Sequence, residues 1–110
     1  MWQGAGHVAR SAATVGLVAA DPEDELHEAW MQYDLGQATA YMMLAAADRG
    51  LGSAHAAVRD QARAQRVLRF PDGYSLVYVI AFGYPADRPL TPIRNPDRRA
   101  FDDVVHWGRW

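Results

Sequence analysis

After Pro22 the chain has no proline until Pro71, and the stretch between them reads as one long helix. Asp21 has the chemistry of an N-cap, with Pro22 at the first helical position, where its missing N–H costs nothing. Glu23, Asp24 and Glu25 then place negative charge at the positive end of the helix dipole. Arg49 suits the last turn and Gly50 supplies the stop. A helix from Pro22 to Arg49 would be roughly 42 Å long at 1.5 Å per residue. Leu26, Trp30, Tyr33, Gln37, Tyr41, Leu44 and Asp48 step along it at helical spacing. Gly36, Ala38, Ala40, Ala45, Ala46 and Ala47 add small surfaces on several sides. A helix that is apolar or small nearly all round is buried nearly all round. A chain of 110 residues can hardly enclose such an element by itself, so part of this helix is expected in a subunit interface.

The length allows one domain at most. Half the residues are hydrophobic and 22% are charged, the profile of a folded globular chain. The net charge of −2 gives no general attraction to nucleic acid or to an anionic membrane. Cysteine is absent, which excludes disulfides, thiolate metal sites and cysteine nucleophiles. No apolar run approaches the roughly 20 residues that span a bilayer. Met1 to Arg10 lacks the pattern of a secretory signal, so a cytoplasmic protein is the expectation. Every Lys-or-Arg position is arginine. Arginine cannot form a Schiff base but is suited to forked binding of phosphate or carboxylate. Coding bias is the plainer and preferred explanation of an alanine- and arginine-rich composition.

Around the helix, residues 12–19 form a short apolar run that reads as a buried strand, weakened by Gly16. Gly50-Leu51-Gly52-Ser53 reads as a turn and Ala54 to Val58 as a short strand lined with small residues. Asp60 can cap a second helix from Gln61 to Leu68, and Pro71-Asp72-Gly73 is a turn signal. Tyr74 to Phe82 is the clearest strand, with no polar alternation after Ser75. It should be central and covered on both faces. From Pro85 onward the chain reads as an extended C-terminal arm. Pro85, Pro89, Pro92 and Pro96 forbid a regular helix before Arg98. The arm holds Arg88, Arg94, Arg98, Arg99 and Arg109, and its aromatics Phe101, Trp107 and Trp110 imply that it docks on the body or on a partner subunit.

Most site motifs are missing. His7, His27, His55 and His106 share no metal-ligand spacing. Ser11, Ser53 and Ser75 lack a nucleophile-elbow context. Gly50-x-Gly52 is not a dinucleotide fingerprint. The acidic pair Asp102-Asp103 reads as solvated. Arg98-Arg99 is the best anion-binding candidate, set against the plainer reading of a solvated basic pair beside Asp97.

The order of several short pieces resembles the nitroreductase family of flavin enzymes. They are Asp34-Leu35-Gly36-Gln37-Ala38 leading into Leu44-Ala45-Ala46-Ala47, then Gly50-Leu51-Gly52-Ser53, the run Leu68 to Tyr74, and Ile80-Ala81-Phe82-Gly83-Tyr84-Pro85. The last is Arg98-Arg99-Ala100-Phe101-Asp102-Asp103-Val104-Val105-His106 with Arg109-Trp110. Gly6-His7-Val8-Ala9 and the first strand resemble the family's middle section. The resemblance implies an α+β, nitroreductase-like partial domain spanning residues 1–110, with a long central helix packed on a small β-sheet and an arm at 85–110. It implies an FMN-dependent oxidoreductase that moves electrons from NAD(P)H to a nitroaromatic, quinone or similar acceptor. It also implies an intertwined homodimer through helix 22–49 and the arm, with FMN at the interface.

By the same resemblance, Arg98 and Arg99 would contact the FMN phosphate, and Ala54, His55, Ala56, Ala57 and Val58 would run past the flavin ring. Many relatives carry glycine at the position of Ala57, where the backbone approaches the isoalloxazine and bonds N5. Family members usually run to about twice this length, and the part that resembles nothing here is N-terminal, with an arginine-serine-arginine type segment that grips FMN. The chain thus looks like a C-terminal half. No catalytic residue and no metal ligand are assigned. The rival reading is a non-catalytic remnant or dimerisation module of the same family. Nucleic-acid binding through the arm ranks below both, because Asp87, Asp97, Asp102 and Asp103 offset its arginines.

Overall fold

The structure, a computed structural model, describes residues 6–86, 91–92 and 94–110. Five main elements organise the body: β1 (Ala13–Ala20), a long helix (Glu25–Asp48), β2 (Gly52–Ala57), a short helix (Gln61–Leu68) and β3 (Tyr74–Gly83). A four-residue helix, Gly6–Ala9, precedes them, and the sequence had not suggested it. In chain order the helices are α1 (Gly6–Ala9), α2 (Glu25–Asp48) and α3 (Gln61–Leu68). The sheet is antiparallel with order β1-β3-β2, so β3 is central, as its unbroken apolar run predicts. Ile80 and Ala81 are consecutive and point to opposite faces of the sheet, and both are buried, so β3 is covered on both sides. This is the mixed α+β architecture expected, with a long helix and a small sheet.

One bulge shapes the sheet. Leu17 pairs with Tyr78 but Val18 pairs with Leu76, leaving Val77 as the extra residue on β3. Nearby, Gly16 faces the Leu76 side chain so closely that an added Cβ would stand 2.8 Å from its Cδ1. The glycine that weakened the strand assignment is therefore what lets a large, buried leucine pack against β1.

The start of α2 differs from the sequence reading. The N-cap is Asp24, whose carboxylate accepts from the His27 N–H at 2.8 Å. Asp21 instead accepts from the Ser75 hydroxyl at 2.6 Å, while its own N–H donates to the Gly73 carbonyl at 2.8 Å. Two aspartates compete for the cap, and Asp21 is taken by the turn before β3. The helix end agrees better. Gly50 takes a positive φ of 70°, and the Arg49, Gly50 and Leu51 N–H groups donate to the Ala46 and Ala47 carbonyls. The turn is shorter than expected because Gly52 and Ser53 already pair with Gly83 and Phe82. Asp60 caps α3 through the Arg63 N–H at 3.0 Å, as its sequence context implied.

The inner and outer faces of α2 are distinct in burial though not in composition. Met31, Leu35, Ala38, Met42 and Ala46 form the shielded side, with Ala46 buried. The opposite stripe, Leu26, Trp30, Tyr33, Tyr41 and Leu44, is exposed, Tyr33 at 70% and Tyr41 at 68%. The arm contributes a single 3-10 turn, Phe101–Asp103, and exposes Phe101, Trp107 and Trp110, the last at 98%. Arg88 and Pro89 lie outside the described residues. No helix among the described residues is long and apolar enough to cross a membrane.

Candidate functional site

Strand β2 is an edge strand of small residues, and α2 lies across one face of it. In antiparallel pairing, directly opposed residues share a face, so His55 lies with Ile80 and Ala57 with Tyr78. The Tyr78 hydroxyl donates to the Gln32 Oε1 of α2 at 3.0 Å. That bond ties the helix to the sheet and divides a trough into two clefts. The first, about 270 Å³, is lined by Gln32, Gly36, Thr39, His55 and Tyr78. The second, about 320 Å³, again includes Gln32 and Tyr78, and adds Ala57, Val58, Gln61 and Glu28. Ligand pockets commonly occupy 300–1,000 Å³, so each cleft alone is at or below the small end and the joined trough falls within the range.

The residues anticipated beside a flavin divide into two groups. His55 and Ala57 line the trough, both exposed on β2, while Ala56 is buried toward the other face and Ala54 is half-buried. The His55 ring meets Tyr78 edge-on, with centroids 6.4 Å apart. Arg98 and Arg99 are exposed on the extended segment before the 3-10 turn, and neither lines these two clefts within one copy. The Arg98 N–H donates to the Pro96 carbonyl at 2.9 Å, which is local arm structure. Neither guanidinium forms an ion pair among the described residues; the ion pairs found there belong to His27 with Glu23 and Asp24. Among the described residues no three His, Asp or Glu side chains converge as metal ligands.

Gln32, Tyr78 and Gln61 were missed as site residues from sequence. Gln32 carried a signal, because it is an amide set between Met31 and Leu35 on the side of the helix that packs inward. Gln61 read only as the first residue of a helix, and Leu76, which takes two of its three bonds, is 15 positions away.

The model of the nitroreductase family matches residues 2–84, three quarters of the chain. The chain belongs to the nitroreductase family. A nitroreductase family protein from Clostridium difficile 630 is similar in structure, with a TM-score of 0.60 and 15% identity, covering 100% of this chain and 70% of that one. At that identity the likeness speaks for the fold alone. No curated protein matches. The family match supports an oxidoreductase family and includes all of α2, β2 and β3, hence the whole trough. It ends at Tyr84, so Arg98 and Arg99 lie beyond it.

Proposed function

We propose that the chain forms an FMN-dependent oxidoreductase that acts as a homodimer, with NAD(P)H as reductant and a nitroaromatic, quinone or similar small molecule as acceptor. The observation that carries this reading is the exposed, small-residue edge of β2 opening on the trough, with His55 and Ala57 at its lip. A flat ring can approach such a strand because methyl side chains leave its backbone accessible. Bound FMN would supply the two-electron redox chemistry, and the protein's part is position and electrostatics. Ala57 would present its backbone to the ring, and His55 would border the open side. Arg98 and Arg99 suit a phosphate, being exposed guanidiniums without carboxylate partners among the described residues.

Dimerisation follows from the same surfaces. The stripe of α2 and the arm expose large apolar side chains, Leu26, Trp30, Tyr33, Tyr41 and Leu44 on one and Phe101, Trp107 and Trp110 on the other, and a second copy would cover both. The arm of one copy could then bring its arginine pair to the trough of the other.

Titrating purified protein into FMN and following flavin fluorescence tests the reading, with NAD(P)H oxidation measured on the same sample. Saturable quenching with turnover is expected. A sedimenting dimer with neither flavin binding nor turnover would favour the dimerisation-module reading instead.

A further inference from the structure

Gln61 does something its position in the chain does not announce. Its side-chain Oε1 accepts from the Leu76 N–H at 2.9 Å, and its Nε2 donates to the Leu76 carbonyl at 2.9 Å and to the Val58 carbonyl at 2.9 Å. A carboxamide has the donor and acceptor of a peptide group, so it can stand where a strand residue would. It does so at the place where β2 runs out. The last ladder bond between these strands is the Val58 N–H to the Val77 carbonyl at 3.1 Å, and Val77 is the bulged residue. Beyond the bulge Leu76 would have no backbone partner on that side. Gln61 supplies both of its bonds and returns the third to Val58, at the end of β2.

We propose that the Gln61 carboxamide is a surrogate strand residue that fixes the Ala57–Val58 backbone at the mouth of the trough, and is therefore a positioning residue for the bound ring. This rests on the flavin reading above. Three groups define the geometry: Gln61 lines the same cleft as Ala57 and Val58 and holds the Val58 carbonyl directly. Without the amide, Val58 and Leu76 keep polar backbone atoms without those partners, and the strand end can swing.

The test exploits the chemistry of the amide. Gln61→Glu retains the shape. A protonated carboxyl can accept from Leu76 N–H and donate one bond, whereas the carboxylate can only accept and faces two carbonyl oxygens. Charged groups nearby are Glu28 of α2, which lines the cleft, and Asp60, held by the Arg63 N–H; both are also present in the unmutated protein, which serves as the baseline at each pH. Gln61→Met removes all three bonds at every pH. FMN affinity and the hydrogen-exchange protection of the Leu76 amide are measured at pH 5 and pH 8.

The two carbonyl oxygens disfavour the carboxylate and raise the introduced carboxyl's pKa above its ordinary value of about 4.3. Relative to the unmutated protein, Gln61→Glu is therefore expected to bind FMN less weakly at pH 5 than at pH 8, where the loss should be about tenfold, as for one part-buried hydrogen bond. Gln61→Met, which removes the acceptor of the Leu76 N–H as well, should bind weakly and lose Leu76 protection at both values. If Leu76 protection in Gln61→Met equals that of the unmutated protein, the surrogate-strand role is overturned. If protection changes while FMN affinity does not, Gln61 fastens the sheet without positioning the ring, and the proposal is overturned on that side. If the unmutated protein binds no FMN, the flavin reading fails and takes the positioning role with it, while the exchange measurement still decides whether Gln61 holds the strand.

Discussion

Single atoms decide several features of this protein. At Gly16 the space for a side chain is already taken by Leu76, which is buried and cannot turn freely into solvent. Gly16→Ala should therefore lower stability by about 1–3 kcal/mol, the usual cost of overpacking a core. Urea unfolding checks this, and combining the change with Leu76→Val should recover part of the loss; a midpoint equal to that of the unmutated protein would show that Leu76 yields without cost. The arginine pair makes a functional prediction at the same scale. Arg98→Ala or Arg99→Ala should weaken FMN binding, each removing a charge-assisted contact of about 1.5–3 kcal/mol, or roughly 10- to 150-fold in dissociation constant. Unchanged titrations in both variants would remove the arm from the site. From sequence these two residues could be selected by charge type alone. Both are exposed on the arm, a tertiary outcome that no local pattern records.

Elements were legible where local chemistry is strong and unopposed. The turn at Pro71-Asp72-Gly73, the α3 cap at Asp60 and the span of β3 need no distant contact to be read, and the structure repeats them. The α2 cap is different, because Asp21 and Asp24 are both competent and only one can serve. Ser75, 54 residues away, engages Asp21 and leaves Asp24 to the helix. Asp24→Ala should cost about 1 kcal/mol and expose the His27 amide to hydrogen exchange. Asp21→Ala should leave that amide protected. Equal deprotection in the two variants would contradict the assignment. Strand β2 was placed late by two residues for a related reason. Gly52 and Ser53 look like turn residues until Gly83 and Phe82 are set beside them.

At the scale of the whole molecule, one copy is more open than a compact chain of its mass. A compact chain of 12.2 kDa exposes about 6,100 Å², whereas this one exposes 9402 Å². Its radius of gyration is 17.0 Å, against about 13 Å for a compact domain of roughly 100 residues. The buried apolar set of a single copy is Ala46, Ala56, Leu76, Ile80 and Ala81, a small core for so much chain. The surplus is about 3,300 Å² per copy, or about 6,600 Å² for two copies, more than the 2,000–5,000 Å² in total that obligate dimers bury, so there is area enough for such an interface. Tyr33→Glu with Tyr41→Glu places charge on the exposed stripe of α2 and should shift a dimer to monomer in sedimentation velocity, with FMN affinity falling alongside. A monomeric unmutated protein would contradict the dimer proposal before any mutation is made.

The sequence by itself determined the order and kind of the five main elements, the bounds of α3 and, to within a residue, of β1 and β3, the centrality of β3 and the apolar excess of α2, because caps, turns, periodicity and unbroken apolar runs act over a few residues. It also carried the family resemblance that the comparison with known families bears out over residues 2–84. Only the tertiary structure decided which aspartate caps α2, which stripe of that helix faces the sheet, where β3 bulges and that Gln61 completes its ladder. Those outcomes depend on groups brought together from 15 to 61 positions apart, and a helix that is apolar on every side does not say which side its own sheet will take.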